Sequence, residues 1–275
     1  MATETLHAAS REALAAAEKR LDEVLRSDAD PATLGTELLA VVGLLTRETG
    51  LRRAVAEGSS DPAARKGLVR RLLTGKAAEP ALAVLEAAVG ERWSSPRELV
   101  DGLESLGRSA LLTSAEKAGN LEAVEDELFR IARIVDGEPE LERALSDQTA
   151  PPETKRRLVH DLFAGKADGV TLALVEQLVE RRKGRGIGFG LDRLVKLAAQ
   201  RRERSVAYVT SASELSADQR DQLAGKLRGI YGRPIALHVE VDPRLRGGLV
   251  VRVGDEVIDG SVAGQLEALR RRLAA

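Results

Sequence analysis

Sliding the chain against itself by 90 residues aligns Leu38 to Arg92 with Leu128 to Arg182 without a gap, and 17 of those 55 pairs are identical. A duplicated stretch of this length commits the chain to building one supersecondary unit twice. The identical pairs include Leu51/Leu141, Pro62/Pro152, Leu72/Leu162, Gly75/Gly165, Lys76/Lys166, Leu82/Leu172 and Val89/Val179. Most are core-type or punctuating residues, and each copy reads as five or six short helices. Pro62 and Pro152 stand where a helix starts, the position at which a missing N–H costs no hydrogen bond. Gly75 and Gly165 end that helix. The next carries one apolar stripe, Leu82, Leu85 and Val89 in the first copy and Leu172, Val175 and Val179 in the second. Ser95-Pro96-Arg97-Glu98 reads as a capping box that launches a helix through Leu99, Leu103, Leu106 and Leu111 and joins the two bundles.

After Arg204 the periodicity changes. The runs 206–210 (VAYVT) and 235–241 (IALHVEV) are strand-like, with a helix from Ser216 to about Tyr231 between them and Ser216/Gln219 as a second capping box. Gly247-Gly248 opens a further strand, in which Leu249, Val251 and Val253 alternate with Val250 and Arg252, and Gly254-Asp255 turns it into a hairpin. Helical spacing returns at Val262, Leu266, Leu269 and Leu273, with Ser261 at the N-cap. The expected architecture is therefore mainly α with a small α/β domain. Two tandem five- or six-helix bundles, residues 1–106 and 107–205, precede a strand, helix, three-strand, helix domain at residues 206–275. With 43% hydrophobic and only 2% aromatic residues, the cores must be built from Leu, Val and Ala.

The residues that carry chemistry are scattered. There is no Cys, which excludes disulfides, thiol nucleophiles and thiolate metal sites and is compatible with a reducing compartment. His7, His160 and His238 fall one per module without metal-ligand spacing. No nucleophile elbow or His-Glu-x-x-His pattern occurs. Lys76 and Lys166 follow glycine, but the remaining phosphate-loop residues are missing. The run KGRGIGFG at 183–190 follows a helix, whereas a dinucleotide loop must follow a strand, so it reads as a helix-to-helix connection. Asp255, Glu256 and Asp259 are accounted for by strand alternation and turn chemistry. No secretory signal is visible at the start, and no apolar run is long enough for a membrane span.

A net charge of −1 argues against wholesale phosphate neutralisation, but that value is an average. Leu121 to Asp147 holds nine acidic and three basic residues, and Arg181 to Arg204 holds nine basic and two acidic. These faces either neutralise each other within the second bundle, stay solvated, or steer protein partners. A nucleic-acid-binding adaptor using 181–204 is the alternative reading, with Phe189 the one aromatic available there for stacking.

The closing stretch from Gly247 to Ala275 resembles the C-terminal signature of the delta subunit of F-type ATP synthases, the oligomycin-sensitivity-conferring protein of mitochondria. Upstream, Ala110-Leu111-Leu112, Gly119, LEAVEDEL (121–128), PELERAL (139–145), KRRLVHDLF (155–163) and TSASELSADQRDQL (210–223) are similar to the same family. The likeness covers about Ala110 to Ala275. It implies a non-catalytic stator connector that supports proton-driven ATP synthesis. Such a subunit grips alpha-subunit N-termini with its helical domain and the peripheral-stalk b subunit with its C-terminal domain. It needs no cofactor, metal or bound nucleotide, engages no nucleic acid, and reaches the cytoplasmic face of the bacterial cell membrane only through the complex. By the same resemblance the alpha groove lies between the first and fifth helices of the second bundle, which nominates Leu111, Leu112 and Ala115 with Leu172, Val175 and Leu178. Gly247, Gly248, Gly254, Asp255, Asp259 and Ser261 are expected to specify the fold. Two departures stand out: residues 1 to about 106 are an extra copy, and the family's Glu-Asn-x-Arg at the end of the fifth helix is replaced by GluArgArgLysGlyArg from Glu180. With no span or long coiled coil, the chain is expected to meet a separate b subunit.

Overall fold

A computed structural model describes residues 6–27, 29–180, 186–204, 206–231, 235–245, 247–254 and 256–262. The duplication reappears at full register. Helices α2 (Pro31–Arg47), α3 (Thr49–Ala56), α4 (Pro62–Leu73) and α5 (Glu79–Gly90) recur, each shifted by 90 residues, as α7 (Leu121–Gly137), α8 (Pro139–Ser146), α9 (Pro152–Phe163) and α10 (Gly169–Glu180). Helix α1 (Ala8–Arg26) precedes the first set and α11 (Ile187–Arg204) follows the second. Between the sets lies α6 (Pro96–Ala118), which closes the first copy and opens the second.

Local chemistry explains where these helices begin and end. Asp30 accepts from the backbone N–H of Thr33 at 2.9 Å ahead of Pro31, and Asp61 accepts from Ala63 N at 3.1 Å ahead of Pro62. Gly75 and Gly165 sit at φ +76° and +73°, the left-handed region that only glycine enters cheaply. The N-termini of α5 and α10 are capped from across the bundle: Glu37 on α2 accepts from Ala78 N at 3.1 Å, and its counterpart Glu127 on α7 accepts from Asp168 N at 2.8 Å and Thr171 Oγ1 at 2.6 Å. The Ser95 box forms only in part. Ser95 Oγ accepts from Glu98 N at 3.2 Å, while the Glu98 carboxylate accepts from the backbone N–H of His7 and pairs with its imidazole at 2.8 Å.

Residues Met1–Val195 form one compact unit and Lys196–Ala275 a second. Residue 106 lies within α6, so the two copies share a helix there and no linker separates them. This shared helix is buried on nearly every side. Accordingly Leu99, Leu103, Leu106, Gly107, Leu111, Leu112 and Ala115 are all buried. Helices α2 and α6 cross at Gly35 and Gly107, where a Cβ on Gly35 would lie 2.9 Å from Gly107 O.

In the second unit, β1 (Val206–Ser211), α12 (Ala217–Tyr231), β2 (Ala236–Val241), β3 (Leu249–Val253) and β4 (Glu256–Asp259) give a four-stranded sheet of order β2-β1-β3-β4. Strands β1 and β2 are parallel, and the other pairs are antiparallel. Ala207, Val209, Val251 and Val253 line one face and pack with Leu227 of α12. The Ser216/Gln219 box is fully reciprocal, with bonds of 2.9 and 3.2 Å. The apolar positions expected at Leu266, Leu269 and Leu273 lie outside the described residues.

Candidate functional site

The six residues nominated for the alpha groove divide by depth. Leu111, Leu112 and Ala115 on α6 and Val175 on α10 are buried, whereas Leu172 and Leu178 on α10 are half-buried. Leu111 is covered from the side of the first copy: a Cβ on Gly35 of α2 would lie 2.8 Å from its Cγ. Leu178 is backed by Gly190 of α11, whose missing side chain leaves room for it. The accessible part of this region is therefore the α10 edge, with the α6 residues beneath.

A buried polar cluster that sequence reasoning missed ties α6 to α10. Arg108 donates to Gln177 Oε1 through Nη2 at 2.8 Å and through Nε at 3.2 Å. Gln177 Nε2 donates to Glu104 Oε1 at 3.1 Å, and Glu104 pairs with Arg108 one turn away. Burial pushes the Arg108 guanidinium down to about 10, with Arg193 adding to the shift and Asp101 opposing it, so it stays cationic at neutral pH. The visible signal was Glu104 and Arg108 four residues apart, between Leu103, Leu106 and Leu111 of the apolar stripe. Their partner Gln177 could not be read, because its counterpart in the first copy is Ala87.

The outer surfaces of the two copies differ in charge chemistry at matched positions. Arg70 on α4 pairs with Glu86 and, at 2.8 Å, with Glu79 of α5. The equivalents of Arg70 and Glu86 are His160 and Glu176, which pair at 3.0 Å between α9 and α10. Glu180, at the end of α10, has its carboxyl raised above the usual range by burial, although Arg156 at 3.5 Å works against that. Part of the acidic run faces the start of α11. A Cβ on Gly186 would lie 2.9 Å from Glu142 Oε1, and one on Gly188 3.2 Å from Asp136 Oδ1.

At the end of the sheet unit, Gly247, Gly248 and Gly254 have φ of +127°, +82° and +58°. A side chain on Gly248 would strike the carbonyl of Gly260. Asp259 Oδ1 accepts from Ser261 N at 2.9 Å, and hydrogen bonding from Ser261 holds the Asp259 carboxyl below its ordinary value. Asp255 lies outside the described residues. The sheet face away from α12 exposes Tyr208 and Val257. Arg252 lies 5.2 Å from the Tyr208 ring centroid, and the His238 ring meets Tyr208 edge-on at 5.6 Å.

No group of three or more metal-ligating side chains occurs among the described residues, and none of their helices is long and apolar enough to cross a membrane. The geometry is that of packed helices and a half-covered sheet offering surfaces. Among known proteins, the family model for the ATP synthase delta (OSCP) subunit matches residues 109–273. Curated relatives match almost end to end. The ATP synthase subunit delta of Nocardia farcinica is 49% identical over 270 residues, covering 98% of this chain and 100% of that one. Its namesake from Corynebacterium diphtheriae is 48% identical over 274 residues, with 98% and 100% covered. The one from Streptomyces griseus is 45% identical over 270 residues, with the same coverage. A chain of the Toxoplasma gondii mitochondrial ATP synthase hexamer matches at 23% identity and a TM-score of 0.32, over 61% of this chain and 95% of that one, a likeness too distant to carry structural inference. With a family model spanning more than half of its length and relatives aligned throughout, the chain belongs to the ATP synthase delta (OSCP) family of non-catalytic subunits.

Proposed function

We propose that this chain is the stator connector of a bacterial F-type ATP synthase, holding alpha-subunit N-termini on its helical unit and the peripheral-stalk b subunit on its sheet unit. The observation that carries the reading is the family match, which runs from within α6 through both compact units. A stator must resist the torque of the rotor, which calls for separate docking surfaces and no active site. Two modest contacts made by one chain hold far longer than either alone, because the second forms at high effective concentration. Membrane association then comes through the complex, at the cytoplasmic face.

For alpha, the half-buried Leu172 and Leu178 supply the contact edge, and Leu111, Leu112, Ala115 and Val175 form the floor that holds it in place. An amphipathic N-terminal helix would lay its apolar side along α10. A Leu172→Asp, Leu178→Asp variant is expected to fold, by circular dichroism, yet to bind an alpha N-terminal peptide roughly tenfold more weakly or worse, as loss of apolar anchors does. Unchanged affinity would reject this edge. Deleting residues 206–275 is expected to remove b-subunit binding and leave alpha binding intact. Retention of b by the shortened chain would refute the division of labour.

A further inference from the structure

Each copy leaves an apolar opening only partly covered. Between α2, α3 and α4 the first copy has a wholly apolar pocket, with Leu85, Val89 and Leu103 at its floor and Leu44, Leu51 and Leu72 at its mouth. The mouth is not sealed: Leu72 is 40% exposed, and Leu44 and Leu51 are half-buried. The second copy holds Ile134, Leu141 and Leu162 at the same three positions, again without full burial. Only 17 of 55 aligned residues survive between the copies, yet all three mouth positions stay large and aliphatic. Leu44 and Leu51 also pack against the core, but Leu72, at 40% exposure, and Ile134 of the second copy, at 46%, gain nothing from water, and at a concave opening they fit a partner that covers them.

Charge says what that partner is. In the first copy, α3 and α4 carry Arg52, Arg53, Arg65, Lys66, Arg70 and Arg71 and no carboxylate, with Glu48 and Glu57 just beyond the two ends of α3 and Asp61 at the N-cap of α4. Arg70 is engaged by Glu79 and Glu86, and Arg65 is buried against the carbonyls of Glu57 and Gly90. Arg53 and Arg71 are exposed and make no ion pair among the described residues. The matching helices α8 and α9 are balanced, with Glu140, Glu142, Glu153 and Asp161 against Arg143, Lys155, Arg156 and Arg157. We infer that the pocket between α2, α3 and α4 of the first copy docks an acidic amphipathic helix of a partner protein, with a bulky aliphatic anchor over Leu72 and carboxylates facing the cations of α3 and α4. The second copy keeps the apolar mouth and lacks the electrostatic selection. This gives the extra bundle a binding role of its own, independent of how alpha and b are held.

The test uses the full chain and two synthetic helical peptides sharing one leucine face, one with glutamate and the other with lysine at the remaining positions. The glutamate peptide is expected to bind at least about tenfold more tightly than the lysine peptide, with a preference that shrinks as salt screens the charges. Leu72→Asp, and separately the surface pair Arg53→Glu, Arg71→Glu, should each weaken it by about tenfold with the circular dichroism unchanged. Leu162→Asp in the second copy should leave it intact. Equal binding of both peptides, indifference to the charge reversal, or equal damage from Leu162→Asp would overturn the inference. So would binding to vesicles of anionic phospholipid without binding to the glutamate peptide, which would assign the patch to a lipid surface. The charge-reversal pair keeps the test decisive if Leu72→Asp fails to fold.

Discussion

Arg108 carries a full charge into the interior, and its neighbours show how the fold accommodates it. Removing one member of a buried pair leaves the other charge behind, a loss of about 3–5 kcal/mol, whereas replacing both by apolar side chains is often close to neutral. Arg108→Met should therefore lower the unfolding free energy in urea far more than Glu104→Leu combined with Arg108→Met. Equal losses would show that Gln177 and the surrounding packing, and not the charge pair, hold α6 to α10. Glu98 makes a different prediction. Burial raises its carboxyl, but hydrogen bonds from Ser10 and His7 outweigh that and hold it below the ordinary 4.5. A carboxylate depressed in the folded state stabilises above its unfolded pKa, and that contribution is lost as pH falls through the folded value. The melting midpoint should accordingly begin to drop once the pH passes below 4.5, and Glu98→Gln should flatten part of that decline. Asp30, Asp147, Asp242 and Asp259 are lowered too, so one substitution removes only a share.

Among the elements, the α2/α6 crossing depends on two glycines that are not equivalent. A Cβ on Gly35 would meet the backbone of α6, at Gly107 O and Leu111 N, each 2.9 Å away, whereas one on Gly107 would first meet Leu39 Cδ2 at 2.7 Å. Backbone cannot yield as a leucine methyl can. Gly35→Ala is therefore expected to cost about 1–3 kcal/mol by overpacking and Gly107→Ala less, and the opposite order in chemical denaturation would contradict this account of the contact. Gly165→Ala meets no steric obstacle, but its φ of +73° should still cost about 1 kcal/mol. The ends of α4 and α9 were legible beforehand because proline and a left-handed glycine are local signals. The capping of α5 and α10 by Glu37 and Glu127 was not, since those carboxylates arrive from a different helix 41 residues away. The same reason explains the partial Ser95 box: the local pattern names Glu98 as the reciprocal cap, but His7, 91 residues away, takes its carboxylate.

For the whole molecule, α6 decides what counts as a unit. The 90-residue repeat suggests two bundles in series, yet a helix buried on both sides makes residues Met1–Val195 one compact body. A chain beginning at Pro96 would uncover the side of α6 that packs on α2, including Gly107 and Leu111. It is expected to self-associate, as light scattering would show; a stable monomer would mean the second copy does not need the first.

The chain's own sequence determined the duplication, the starts and stops of its helices, the strand alternation after Arg204 and the family, because each rests on local rules or on matching residue by residue. Only the tertiary structure decided which apolar residues remain accessible. Helical periodicity marks Leu111, Leu112, Ala115, Leu172, Val175 and Leu178 alike as one-sided stripes, and a stripe does not reveal whether the chain itself or a partner covers it. Here α2 and the shared α6 fill most of that role from within. Leu172 and Leu178 stay within reach of a partner on α10, and Leu72 does so at the mouth of the first copy's pocket.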